Sequence, residues 1–283
     1  IQIQTPHMVL FSFSSISSNT INAELDHGQD FALIQSMSDF GDFTFHDFEI
    51  GNNTLMGRFV IIHTGFGAVN NFDSLNFSKN TMQTSPHQIP GQTWAMGILT
   101  DMKSTTTIKN SIFSDNCLLD SVNIFVAGMG SNNELIGVEV TGNSFDTNIG
   151  DSNFICVKDS GSLVLENMVI EKNILNMNTK PDWQVSCFIY NMYGPLSLRI
   201  FNITFNENTL MQAAYFFNLG LDSRLTLQES NFTNNIFEGS LGYLAYAEEI
   251  TIEHTNFFSN EIRGILLIIQ SADRKSTRLN SSH

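Results

Sequence analysis

Nine times along this chain, three apolar positions recur around one asparagine. The asparagines are Asn19, Asn53, Asn80, Asn116, Asn143, Asn173, Asn208, Asn235 and Asn260, spaced by 34, 27, 36, 27, 30, 35, 27 and 25 residues. Eight residues before each stands Phe11, Phe45, Phe72, Ile108, Leu135, Leu165, Ile200, Leu227 or Ile252. Three before stands Ile16, Ile50, Phe77, Phe113, Val140, Ile170, Phe205, Phe232 or Phe257. Two after stands Ile21, Leu55, Met82, Leu118, Phe145, Leu175, Leu210, Phe237 or Ile262. In a chain that is 42% apolar, chance would fill all these places with odds on the order of one in ten billion, so the pattern is structural.

Periods of this length belong to stacked repeats. The unit is made of strands. Its first segment alternates, as in Leu198 and Ile200, Leu225 and Leu227, Ile250 and Ile252, with Thr44, Thr107, Glu134, Arg199, Thr226 and Thr251 at the positions between. Period two puts one face inside and one outside. A second, more continuously apolar strand comes after each asparagine: FALIQ at 31–35, FVII at 59–62, NIFVA at 123–127, FICV at 154–157, CFIY at 187–190, YFFN at 215–218, YLAYA at 243–247 and ILLII at 265–269. Gly, Ser, Asn or Asp then marks a turn. Each coil therefore reads as strand, corner, short strand, asparagine turn, strand, turn, with no helical period.

Like coils stack best when each strand pairs with its equivalent. That makes the pairing parallel, and parallel crossovers are right-handed. The expected fold class is all-β: a right-handed, single-stranded parallel β-helix, a solenoid of about nine coils with an asparagine ladder. Asparagine tolerates the left-handed backbone of a tight corner. At a strand spacing of about 4.8 Å, its amide can donate to one neighbour and accept from the other, which offsets the cost of burying it. Phenylalanines three residues before the asparagine would stack in an interior column.

The expected β-helix covers residues 1–272. The last eleven, Asp273 to His283, read DRKSTRLNSSH, which matches a translated sequencing adapter, and are set apart as a non-native tail. The pattern begins in mid-repeat at Ile1, and neither end supplies the polar cap that stacked repeats need. The expectation is a fragment, uncapped at both ends, that exposes strand edges and associates.

Thirteen Lys and Arg stand against 28 Asp and Glu, a net charge of −15. Such a surface argues against nucleic acid, which needs clustered cations, and against docking on anionic lipid. No apolar run approaches the ~18 residues of a spanning helix. The longest, such as Ile265 to Ile269, are five residues. Cys117, Cys156 and Cys187 fit no metal spacing and no CxxC motif. Cys156 and Cys187 lie in similar strands of neighbouring repeats, where a bond is open to them; buried free thiols are the simpler reading.

The segments FSKN at 77–80, FSDN at 113–116, FNEN at 205–208, FTNN at 232–235 and FFSN at 257–260 resemble the FxxN repeats of chlamydial polymorphic membrane proteins. Those repeats fall within the wider pectin-lyase-like β-helix class. The resemblance covers nearly all of residues 9–270, although the family's Gly-Gly-Ala-aliphatic companion motif is replaced by single glycines such as Gly264. Very large ciliate surface proteins carry similar stretches. The resemblance implies an exported solenoid, displayed at the cell surface or extracellular, that serves in adhesion.

It also directs attention to the outward strand faces, where β-helix enzymes carry their catalytic groups. The motifs Asn-Thr-Asp, Asp-Asp, Gly-His-Gly and Arg-Ile-Lys of polygalacturonases are absent. The nearest cluster is Glu134, Glu166 and Arg199. Adjacent coils with a two-residue offset place the two carboxylates roughly 8 Å apart, a separation that suits an inverting glycosidase. Outward positions are also simply polar, which keeps a solenoid soluble. The acidic run Asp39, Asp42, Asp47 and Glu49 lacks calcium-loop spacing. His7, His27, His46, His63, His87 and His254 are scattered without metal-ligand spacing. No metal and no cofactor is expected.

The stronger lead is repeat length. The three longest repeats expand just after the asparagine turn, at Asn22–Asp30, Gln83–Thr93 and Asn176–Gln184. Equivalent corners share one side of a solenoid, and insertions on one side often form the binding face. The second loop carries His87 and is followed at once by Trp94; the third carries Asp182 and Trp183. These are the chain's two tryptophans. Three coils apart, about 14 Å, they could stack on sugar rings or engage a surface protein. Equally, each could cover the apolar seam beneath its own loop. Four glycosylation sequons within residues 1–272, at Asn52, Asn76, Asn202 and Asn231, are compatible with secretion.

Overall fold

The computed structural model describes residues 1–3, 8–23, 31–36, 39–84, 95–147, 152–177, 186–191, 194–211, 214–270 and 277–279. Among them there is no helix. Strands assemble into four parallel sheets of ten, ten, nine and nine strands, so the chain is a parallel β-helix.

Each coil visits the sheets in the same order. In the coil of Asn116, the first sheet takes Thr105–Lys109, the second Ile112–Ser114, the third Cys117–Leu119 and the fourth Val122–Ala127. The sequence pattern implies three strands per coil, and the structure has four. The single strand expected after the asparagine is in fact a strand of two to four residues in the third sheet, then a corner, then the longer apolar strand. Strands as short as Thr209–Leu210 cannot display a period of two.

All three apolar columns are in register. Phe45 pairs with Phe72 and Phe72 with Ile108; Phe77 with Phe113; Met82 with Leu118. From the coil of Asn53 to that of Asn235, every one of these positions is at most 1% exposed. At the ends the columns open: Phe11, Ile16, Ile21 and Phe257 are half-buried and Ile262 is 37% exposed. The rings of Phe11, Phe45 and Phe72 stack at 4.8 and 4.7 Å between centroids, within 8° of parallel. Phe77 stacks on Phe113 and Phe232 on Phe257.

The asparagines form one continuous ladder. Each Nδ2 donates to Oδ1 of the next coil's asparagine, from Asn19 through Asn53, Asn80, Asn116, Asn143, Asn173, Asn208 and Asn235 to Asn260, at 2.8–3.2 Å. The backbone N–H of each donates to the same Oδ1, as Asn116 does to Asn143 at 3.1 Å. The second Nδ2 proton goes back to a carbonyl of the preceding coil, as from Asn116 to Phe77 at 2.9 Å. Donors and acceptors are thereby saturated, which is why amides at 2% exposure or less are tolerated in an oily interior.

The reason expected for asparagine needs one correction. The left-handed residue is the one before it: Ser18, Asn52, Lys79, Asp115, Gly142, Lys172, Glu207, Asn234 and Ser259, with φ of 55–65°. A second left-handed column lies five residues earlier, from Phe13, Asp47 and Ser74 to Glu229 and His254. Each such residue other than glycine costs roughly 1 kcal/mol. The offset is a hydrogen bond that the backbone N–H donates to the next coil, such as Lys79 N to Ser114 O at 2.9 Å and Asn110 N to Ile136 O at 3.1 Å.

The fourth sheet is buried on both faces. Ile61, Ile62, Ile124, Phe125, Phe188 and Ile189 join the interior, while Val60, Met96, Val126 and Cys156 form a separate apolar cluster on the outward side. Burial on both faces explains its continuous apolar runs. Cys117, Cys156 and Cys187 are thiols, none of them in a disulfide. Cys187 pairs in register with Asn153, three residues from Cys156. That offset separates the two by about 11 Å, beyond the reach of a disulfide.

Candidate binding edge

Variation in coil length sits at the corner between the third and fourth sheets. That corner is one residue, Arg58, between Thr54–Gly57 and Phe59–Thr64, but eleven between Thr81–Gln83 and Ala95–Thr100. The other two long corners fall at the same place, between Thr20–Ala23 and Phe31–Ser36 and between Ile174–Met177 and Ser186–Asn191. The three expected loops therefore leave one edge of the stack. His87, Trp94, Asp182 and Trp183 themselves lie outside the described residues.

Beside that edge runs the outward face of the fourth sheet. One column descends through Gln35, His63, Leu99, Val126, Cys156, Tyr190, Asn218 and Tyr243. Its neighbour carries Asn123, Asn153, Cys187 and Tyr215. Asn153 Nδ2 donates to Asn123 Oδ1 at 2.8 Å, and Asn153 Oδ1 accepts from Cys187 N at 2.9 Å, so a second, shorter amide ladder exists outside the helix interior. Tyr190, Tyr215 and Tyr243 are half-buried on three successive coils. The Tyr243 hydroxyl donates to Gln270 at 2.7 Å. Burial, and secondarily the nearby Cys187 and Tyr243, push the Tyr215 phenol up, which keeps it a neutral donor. Half-buried phenols beside an apolar stripe can stack on a ring and hydrogen-bond its hydroxyls. Sequence reasoning missed these tyrosines. The signal was the second polar-capable column within strands that read as merely oily.

The outward cluster lies on the first sheet. Glu134 and Arg199 occupy the same column on either side of Val164, with Glu166 two residues further along the strand. Glu134 and Arg199 are exposed and Glu166 half-buried. Glu166 accepts from Asn167 at 3.4 Å. The Arg199 guanidinium lies 5.8 Å from the Phe201 ring, and among the described residues no ion pair joins it to either glutamate.

The acidic run does not converge: Asp39 stands in a turn, Asp42 on the first sheet, Asp47 at a left-handed corner and Glu49 on the second sheet. His46 sits between two carboxylates, Nε2 3.3 Å from Asp47 and Nδ1 3.4 Å from Asp73. His63 Nε2 lies 3.3 Å from Asp101, without the alignment of a hydrogen bond. Among the described residues no three His, Cys, Asp or Glu gather as a metal site. No described helix is long and apolar enough to cross a membrane.

No protein-family model and no curated protein matches the chain. Solved structures with some similarity include HetL, a pentapeptide repeat protein of the cyanobacterium Nostoc. It is 10% identical, with 94% of this chain and 88% of that one covered and a TM-score of 0.22. Another is the A-module of the Azotobacter vinelandii mannuronan C-5 epimerase AlgE4, 9% identical, covering 96% and 91%, with a TM-score of 0.24. Likeness at this level carries no argument about substrate or partner.

Proposed function

We propose that the chain is a non-enzymatic scaffold from a secreted or cell-surface β-helix protein. Its edge loops present a binding face, with a carbohydrate or a surface protein as partner. The observation that supports this reading is a division of labour within each coil. The segment from eight residues before the asparagine to two after it keeps one spacing in all nine coils, while insertions are confined to a single corner. A stack of nine coils is about 43 Å long, a useful length for a spacer. The resemblance of the Phe-x-x-Asn segments to chlamydial surface-protein repeats, within the pectin-lyase-like class, supports surface display and adhesion.

The test is binding of the purified chain to a glycan array. Binding that disappears in Trp94→Ala plus Trp183→Ala is the expected result. Binding untouched by that double change removes the loops from the proposal. A polysaccharide lyase or glycoside hydrolase is the second reading, favoured by one observation: Glu134, Glu166 and Arg199 share an outward face. Release of reducing ends or unsaturated products from pectin, alginate or hyaluronan, abolished by Glu134→Gln or Glu166→Gln, would replace the scaffold with that enzyme.

A further inference from the structure

The solenoid sorts its asparagines into two classes, and only one class can carry a glycan. A sequon needs Ser or Thr two residues after the asparagine. At the nine ladder positions that place holds the inward column from Ile21 to Ile262. A hydroxyl there would put a polar group into the core, so the fold itself excludes ladder asparagines from sequons. The four sequons of residues 1–272 fall elsewhere. Asn52 and Asn202 stand at left-handed corners with φ of 55° and 51°. Asn76 and Asn231 open the second-sheet strands Asn76–Ser78 and Asn231–Thr233. All four are exposed. All four also lie on the second sheet or its two flanking corners, a different part of the coil from the corner that carries the long loops.

We infer that Asn52, Asn76, Asn202 and Asn231 are N-glycosylation sites that clothe the second-sheet face and leave the loop edge bare. The inference rests on the secreted or surface reading above, because the modification requires passage through a secretory compartment. The donor is an oligosaccharide carried on a polyprenyl diphosphate. The side-chain amide nitrogen bonds to C1 of the first sugar, the C1–O bond to the diphosphate breaks, the diphosphate departs, and the amide loses one proton. One N–H remains on the modified side chain. At Asn202 it suffices for the 2.7 Å bond now donated to Asn167 Oδ1. At Asn231 it is the oxygen that is engaged, accepting from Asn256 at 2.9 Å, and glycosylation leaves that oxygen in place.

The fold supplies its own controls. Asn110, Asn167 and Asn234 share the left-handed corner conformation of Asn52 and Asn202 but lack a hydroxyl residue two positions on. The experiment is expression of the full chain behind a secretory leader in insect cells. Glycopeptides are mapped in both lysate and medium after enzymatic release of the glycans, which converts each formerly occupied Asn to Asp. Conversion at Asn52, Asn76, Asn202 and Asn231, with none at the ladder or at the three control corners, is expected. The band shift on deglycosylation should vanish in the variant carrying Asn→Gln at all four sites and at Asn280, which opens the Asn-Ser-Ser sequon of the terminal tail. Unconverted sequons in either pool overturn the inference even if the chain is exported. Retention in the cell with all four sites converted supports it while counting against the extracellular reading.

Discussion

Two parts of each coil obey different rules. The ladder side, from the first sheet to the third, has the same spacing nine times over, two left-handed corners and a saturated amide column. The corner between third and fourth sheets runs from one residue to eleven. The difference shows where this solenoid stores its register. Parallel strands alone do not stop one coil from slipping over another. A directional chain of amides together with two columns of cross-coil hydrogen bonds at fixed offsets does, and the long insertions fall outside the segment that carries both.

The contrast is open to direct attack. A Gly-Ser pair inserted between Ile50 and Asn53 removes Asn53 from its column, and denaturant unfolding should show a loss of more than about 4 kcal/mol. The same pair after Arg58 should cost under about 1 kcal/mol, because lengthening a loop adds little closure entropy. Comparable losses would mean that the two sides are not different in kind. Phe205→Ala should cost roughly 3–5 kcal/mol, since its ring meets those of Phe216, Phe232 and Phe237 at 4.7, 5.4 and 6.2 Å. Asn143→Leu leaves the backbone N–H and one Nδ2 proton of Asn116 without an acceptor. Chemical denaturation should register roughly 1–3 kcal/mol for each orphaned group. Thr226→Ala, on the outward side of the first sheet, should stay within about 0.5 kcal/mol; a cost near that of Phe205→Ala would reverse the assigned faces.

The interior was readable from sequence because its demands are strict. Only apolar residues suit the three columns and only an amide suits the ladder, so Phe77, Asn80 and Met82 announce their surroundings by identity. The left-handed corners left no such mark. Ser, Asn, Lys, Asp, Gly and Glu all occupy the position before the asparagine, because their side chains meet no common requirement and a backbone bond holds the geometry. Third-sheet strands were too short to show a period and merged with the fourth-sheet strands beyond them. The fourth sheet's second buried face hid Tyr190, Tyr215 and Tyr243, since a tyrosine among Phe, Ile and Val reads as one more core residue. The loop candidates Trp94 and Trp183 were found from length alone, a cue about position that carries little chemistry.

Oxidative cross-linking tests the like-upon-like stack most directly. Thr81 pairs with Cys117 in the third sheet and Thr54 with Thr81. In Thr81→Cys the two Cα atoms are paired on adjacent strands about 4.8 Å apart, inside the Cα separation that a disulfide bridges. In Thr54→Cys the partner is two coils away, about 9.6 Å. Burial, with a smaller contribution from Asp146, raises the Cys117 thiol, so less thiolate is present at neutral pH and the reaction is run alkaline. Cys156 and Cys187 are 2% and 0% exposed and stay out of it. Rapid closure of the Thr81→Cys pair with an open Thr54→Cys pair is the predicted result. An open Thr81→Cys pair, or equal closure of both, would contradict the stacked register.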